Sequence, residues 1–92
     1  MMATQLQTFQ IPPGSAEKLV CATPTKVTLF MFEDADVLWL TFAEGDLDPS
    51  KSVRIDKAQC PVDLTVVGTL RIHSPAQDSR TVAVSVISEA RA

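Results

Sequence analysis

Apolar residues in this chain fall in short runs that alternate with polar ones, as in LQTFQI at 6–11, VLWLTF at 37–42 and VAVSVI at 82–87. A repeat of two is the signature of a strand with one face toward a core. In residues 5–11 Phe9 and Ile11 face one way and Leu6 the other, which predicts an arm or an edge strand. Pro12, Pro13 and Gly14 then make a turn, Pro13 presetting φ and Gly14 free to take the positive φ of a type II turn. Residues 16–21 read as a second strand, ended by Pro24. In KVTLFMF at 26–32, Val27, Leu29 and Met31 alternate with Thr28, Phe30 and Phe32, so both faces need cover, from the chain's own second sheet or from another subunit. An acidic turn at 33–36 predicts a hairpin between this strand and 37–42.

Further along, SVRID at 52–56 places Val53 and Ile55 on one face and Arg54 on the other. The segment VDLTVVGTLRIHS at 62–74 carries apolar residues at 62, 64 and 66 and then at 67, 70 and 72, a change of phase that predicts a bulge or bend at Gly68. Residues 75–80 read as a loop and 81–88 as the last strand. No segment carries a capped 3.6-residue repeat over ten or more positions, so helix is limited to a turn or two. The expected fold is all-β: a single antiparallel β-sandwich, jelly-roll-like, with seven or eight short strands. Residues 1–11 form its N-terminal arm or edge strand and residues 12–92 the sandwich domain.

Composition narrows the function more than it names one. Ninety-two residues make one domain with a modest core, since a chain this short buries only about 60–65 % of the surface its unfolded form exposes. A second sheet, a partner subunit or a larger assembly is expected to reinforce it. The net charge is −3 and the eight Lys and Arg are scattered, which gives no continuous patch for phosphates and argues against nucleic acid as a partner. No apolar run approaches the roughly 20 residues that span a bilayer. The start, MMATQLQTFQ, has neither the basic nor the apolar region of a signal peptide, so synthesis in a cytoplasm is expected. Cys21 and Cys60 lack metal or redox spacing and read as free thiols or as a disulfide between strands.

Candidate chemistry is sparse. Glu33, Asp34, Asp36, Glu44, Asp46 and Asp48 cluster in two stretches that flank one strand, with no Lys or Arg between Lys26 and Lys51. They read as solvated loop charge or as acidic contacts for a partner, and EGDLD lacks the spaced ligand series of a calcium loop. Lys51, Arg54 and Lys57 follow directly and make the domain electrically lopsided, a pattern that sets register when subunits dock. His73 is the sole imidazole and so the sole candidate base for nucleophilic catalysis, which also needs a group to orient that base. Trp39, between Leu38 and Leu40, either fills the core or stands on the face opposite them. No cofactor, metal, catalytic residue or small-molecule substrate is expected.

The order of elements resembles that of a group of small phage virion proteins: a polar start, a Pro-Gly turn into SAEKLV, then PTKVTL, DVLWLTF after a first hairpin, and Gly68 to Ile72 with TVAVSVISE as a closing hairpin. That resemblance implies a β-sandwich that decorates or cements capsids, or forms the base of a fibre. The expected function is therefore a non-enzymatic capsid decoration protein on the virion surface, bound to the major capsid protein and to itself as a dimer or trimer. Leu6, Phe9 and Ile11 of the arm, the acidic Asp34, Asp36, Asp46 and Asp48, and Arg54 are the expected contact residues, with residues 89–92 as a second contact segment. A fibre or tail attachment module is one alternative. A soluble inhibitor or adaptor that binds a host protein through its acidic loops is the other.

Overall fold

A computed structural model of the chain describes residues 3–75 and 80–90. Among them six strands form one antiparallel sheet: β1 (Ala3–Ile11), β2 (Ala16–Met31), β3 (Val37–Thr41), β4 (Val53–Asp56), β5 (Val62–His73) and β6 (Val82–Ala90). Two 3₁₀ turns, Pro49–Lys51 and Lys57–Gln59, bracket β4. The all-β, antiparallel expectation holds, with six strands in place of seven or eight. The order across the sheet is β1-β6-β2-β5-β3-β4. The predicted turn after β1 is present, with the Ser15 N–H donating to the Pro12 carbonyl at 3.0 Å and Gly14 at a φ of 74°.

The strand count falls because β2 runs through Pro24 as one strand of 16 residues. Its pairing with β5 is in step from Ala16 opposite His73 to Cys21 opposite Gly68, and again from Thr25 opposite Val66 to Leu29 opposite Val62. Between these stretches β2 has Ala22, Thr23 and Pro24 where β5 has Val67 alone, so the extra residues of a bulge lie on β2. Proline is tolerated there because the interrupted ladder asks for no N–H at that position. The Thr25 hydroxyl donates to the Thr23 carbonyl at 2.9 Å and ties the bulge together.

The irregularity falls at Gly68, as the change of phase predicts, but its extra residues lie on β2. The inward row of β5 keeps its alternation through Val66, Leu70 and Ile72, and Val67 is an exposed apolar residue on the other face. Gly68 still has a local role: its φ of 96° lies in a region that side chains disfavour, directly opposite Cys21 at the edge of the bulge.

The bulge makes a corner. Residues 16–21 of β2 and 68–73 of β5 belong with β3 and β4, whereas residues 25–31 of β2 and 62–66 of β5 belong with β6 and β1. Val27 and Leu29 of β2, Leu38 of β3, Leu70 and Ile72 of β5, and Val82 and Val84 of β6 are wholly buried. Neither an α-helix nor a second hydrogen-bonded sheet covers this face among the described residues. It reaches such burial because the two halves of the one sheet fold toward each other about the corner, giving a sandwich-like core from a single sheet.

Both expected hairpins are absent for one topological reason. The strand 26–32 does not pair with 37–42, because β5 lies between β2 and β3; nor do β5 and β6 pair, because β2 lies between them. The central strand takes partners distant in sequence on both sides, and neighbours in sequence are displaced one place outward. Of the outer row of KVTLFMF, Phe30 is half-buried and Phe32 exposed, so the described residues do not cover that face. Both cysteines are free: Cys21 lies in the core, and the half-buried Cys60 thiol donates to the Asp56 carbonyl at 3.4 Å.

Two substitutions separate packing from backbone geometry. Leu29→Ala removes a wholly buried side chain at the centre of the inward row and should lower unfolding free energy by about 2–5 kcal/mol. Gly68→Ala meets no atom within 4 Å of its new Cβ, so its cost is conformational strain alone, about 1–2 kcal/mol. Chemical denaturation of the two variants beside the parent chain measures both.

Candidate interaction surfaces

The sheet ends in two edges of opposite character. β4 is four residues long, carries Arg54 and Asp56, and is closed at both ends by 3₁₀ turns. Short length and charge are the means by which proteins blunt an edge against unwanted pairing. β1 has neither. It pairs with β6 along its whole length, from Ala3 opposite Ala90 to Ile11 opposite Val82 without a shift of register, and among the described residues no strand lies on its other side. ATQLQTFQI contains no charge and no proline, and Leu6 is 69 % exposed.

Beside β4 the inner face of the sheet opens as an apolar slot of about 230 Å³, bounded by Leu40, Phe42, Val53, Val62, Leu64 and Leu70. Leu40 and Val53 are register partners in β3 and β4, so they share a face. Leu40 is in the core whereas Val53 is 63 % exposed, and Phe42, two residues beyond Leu40, is 55 % exposed. The core therefore emerges at the surface along this margin. Its cause is the short contact of β3 with β5, which covers only residues 39–41 and 71–73 and leaves 62–70 of β5 unpaired on that side.

A third feature lies on the outer face, where Ala16, His73, Trp39 and Arg54 form a row across β2, β5, β3 and β4. Trp39 is half-buried on the face opposite Leu38 and Leu40, which decides between the two placements open to it from sequence. The segment between β3 and β4 folds back over this row, and Trp39, Gly45, Asp46, His73 and Ser74 line a cleft of about 590 Å³. That segment is braced throughout. The Thr41 hydroxyl donates to the Lys51 carbonyl at 3.0 Å, the Ser52 hydroxyl to the Asp48 carbonyl at 2.7 Å, and Arg71 Nη1 to the Ala43 carbonyl at 3.5 Å.

His73 is only 7 % exposed, and among the described residues neither its Nε2 nor the Ser74 Oγ has a hydrogen-bond partner. Burial, and secondarily the nearby positive charge of Arg71, hold the imidazole pKa below its ordinary 6.5, with Asp46 acting weakly the other way. No group of three or more His, Cys, Asp or Glu that could hold a metal ion occurs among the described residues.

The residues expected to make contacts are dispersed over these surfaces. Leu6 is on the free edge strand, and Phe9 is partly buried against the core. Ile11 is wholly buried and Asp36 is 2 % exposed, so neither is available to a partner, contrary to expectation. Ile11 packs into the core where β1 meets the Pro-Gly turn, and Asp36 lies under the Arg80 guanidinium, with Nη2 to Oδ1 at 3.0 Å. Asp34 is exposed and pairs with Lys57 at 3.4 Å, and Asp46 is exposed at the rim of the cleft. Asp48 accepts from the Ser50 N–H at 3.0 Å and the Ser50 hydroxyl at 2.6 Å. Those bonds, the hydroxyl first, and the charge of Lys51 hold its carboxyl below the ordinary 3.8. Arg54 is exposed and pairs with Asp56 at 3.6 Å. Of the contact segment expected at 89–92, residues 91–92 lie outside the described residues, and residues 89–90 are the end of β6.

One ion pair, Asp34 with Lys57, joins the acidic and basic stretches, and Arg54 pairs within β4 with Asp56. The apolar slot was not foreseen. Val53 and Phe42 look like ordinary strand residues in sequence, and only the register shows that their face is left open. No protein-family model, curated protein or solved structure matches this chain.

The two depressed pKa values give separate pH windows. His73 takes up its proton more readily unfolded than folded, so stability falls as pH drops below about 6.5, while the contribution of Asp48 is lost only as pH falls below about 3.8. The unfolding temperature should decline from about pH 7 to about pH 5. His73→Gln should flatten that decline and leave the further loss at lower pH in place.

Proposed function

We propose that this chain is a non-enzymatic structural protein of a phage particle, a decoration or cement protein that sits on the outer capsid surface between major capsid subunits and stabilises the shell. The observation that carries this reading is the apolar margin beside β4, where Leu40, Phe42, Val53, Val62 and Leu64 continue the core into an open slot. Exposed apolar surface of this kind, rimmed by polar residues, is characteristic of sites that bind other proteins. Lys51 borders the slot. An apolar side chain of a capsid subunit would enter the slot while the Lys51 charge orients its approach.

The rest of the molecule suits the role. A cement protein asks for a braced domain with separate surfaces for different neighbours, and the slot beside β4 and the free edge of β1 lie at opposite ends of the strand order. The adaptor reading is less well supported. Of the four carboxylates such a protein would present, Asp36 is buried against Arg80 and Asp48 is bound to Ser50, which leaves Asp34 and Asp46.

The test is co-sedimentation with particles that lack the protein, followed by heating of loaded and unloaded shells. The parent chain should bind across the shell and raise the temperature at which it opens. Val53→Asp places a charge at the slot mouth on a residue that is 63 % exposed, so it should fold normally and bind about tenfold or more weakly. A chain that stays in the supernatant with intact particles would sink the proposal, and binding at one vertex or at the tail would replace shell decoration with an attachment role.

A further inference from the structure

The β1 strand points to its own partner. Thr4-Gln5-Leu6-Gln7-Thr8 reads the same in both directions about Leu6. It forms the middle of a nine-residue edge strand that is unpaired on one side, free of charge and proline, and without a register shift. We propose that two copies of the chain pair through β1 as an antiparallel, two-fold symmetric dimer with Leu6 opposite Leu6 at the axis. Gln5 then faces Gln7 of the other copy and Thr4 faces Thr8, so one alignment satisfies every cross-strand position of the segment.

Three observations favour a second copy over another occupant. An antiparallel pair across a two-fold axis sets each residue against its mirror position in the sequence, and among arbitrary strands few match themselves; TQLQT does so at all five positions. Leu6 is 69 % exposed on a strand whose other side chains from Thr4 to Thr8 are polar. At the axis it would bury itself against its counterpart, and the glutamines would meet in hydrogen-bonded pairs across the same ladder. Finally, the opposite edge of the same sheet is blunted: β4 is short, charged and bracketed by turns, whereas β1 carries none of these protections. A chain that guards one edge and leaves the longer one open uses the open one.

The dimer joins two six-stranded sheets into one of twelve strands, with β4 last in the strand order on each side. Each dimer then carries two apolar slots. This geometry rests on the assembly reading only for its purpose, which would be to bridge two capsid sites; the pairing itself stands on β1 alone.

Sedimentation of the full chain over a wide concentration range, without particles, tests it. A reversible monomer–dimer equilibrium is expected. Leu6→Lys sets two like charges against each other at the axis and should weaken the dimer about tenfold or more. Its circular dichroism should be unchanged, because Leu6 is an exposed side chain. Leu6→Cys should oxidise to a dimer whose bond maps to position 6 in both chains, since directly opposed positions bring Cβ atoms close enough for a disulfide. A monomer at every concentration, or a dimer that Leu6→Lys leaves intact and Leu6→Cys does not link, overturns the proposal. Comparing the parent chain in the two assays separates the two ideas: particle binding by a parent chain that stays monomeric removes this inference alone, and a parent chain that dimerises without binding particles removes the capsid role alone.

Discussion

Everything in this fold depends on the double pairing of β2. Residues 25–31 are flanked by β5 on one side and β6 on the other, and residues 16–21 continue alongside β5 after the bulge at Ala22, Thr23 and Pro24. Without the bulge the sixteen-residue strand would run straight, and the inward row from Leu19 to Met31 would lie along one flat face. With it, the sheet turns a corner and covers its own apolar surface. A 92-residue chain with no α-helix among its described residues has no other means of making a core, and Gly68 opposite Cys21 supplies the backbone freedom that the corner needs.

A core made from one sheet necessarily leaves two edges, and the sequence treats them differently. At β4 the chain spends Arg54, Asp56 and two 3₁₀ turns on closing the edge, yet the shortness of the β3–β5 contact leaves the inner face open beside it. At β1 the edge itself is open while its inner side is closed by Phe9 and Ile11 against the core. The two ends of the sheet therefore differ: an open apolar slot lies beside β4, and β1 is unpaired on one side among the described residues. That difference is what makes a bridging role between unlike neighbours physically reasonable.

Much of the fold was legible because strand alternation is written in adjacent residues. The Pro-Gly turn, the run VLWLTF, the SVRID strand and the last strand all stand close to where their patterns place them. Pairing was not legible, because it depends on residues distant in the chain: a short acidic turn after KVTLFMF looks like a hairpin whether or not β5 inserts itself. Pro24 misled for a related reason, since a proline ends an isolated strand but is accommodated where a partner makes room for a bulge. Among the contact residues, exposure followed position along β1, with Leu6 outside and Ile11 inside, as alternation and proximity to the turn require. The acidic loops were harder to read, because nothing local to Asp36 announces that Arg80, forty-four positions on, covers it.

The central claim is that two copies of this chain join through the free side of β1, while β2 holds the fold regardless. Residue-resolved hydrogen exchange measures both at once. In dilute solution the amides of residues 4–8 that point away from β6 should exchange quickly and those of residues 25–31 slowly. At high concentration, or on the particle, the first set should become protected and the second should not change. Protection of β1 that is the same in all three conditions would contradict the account.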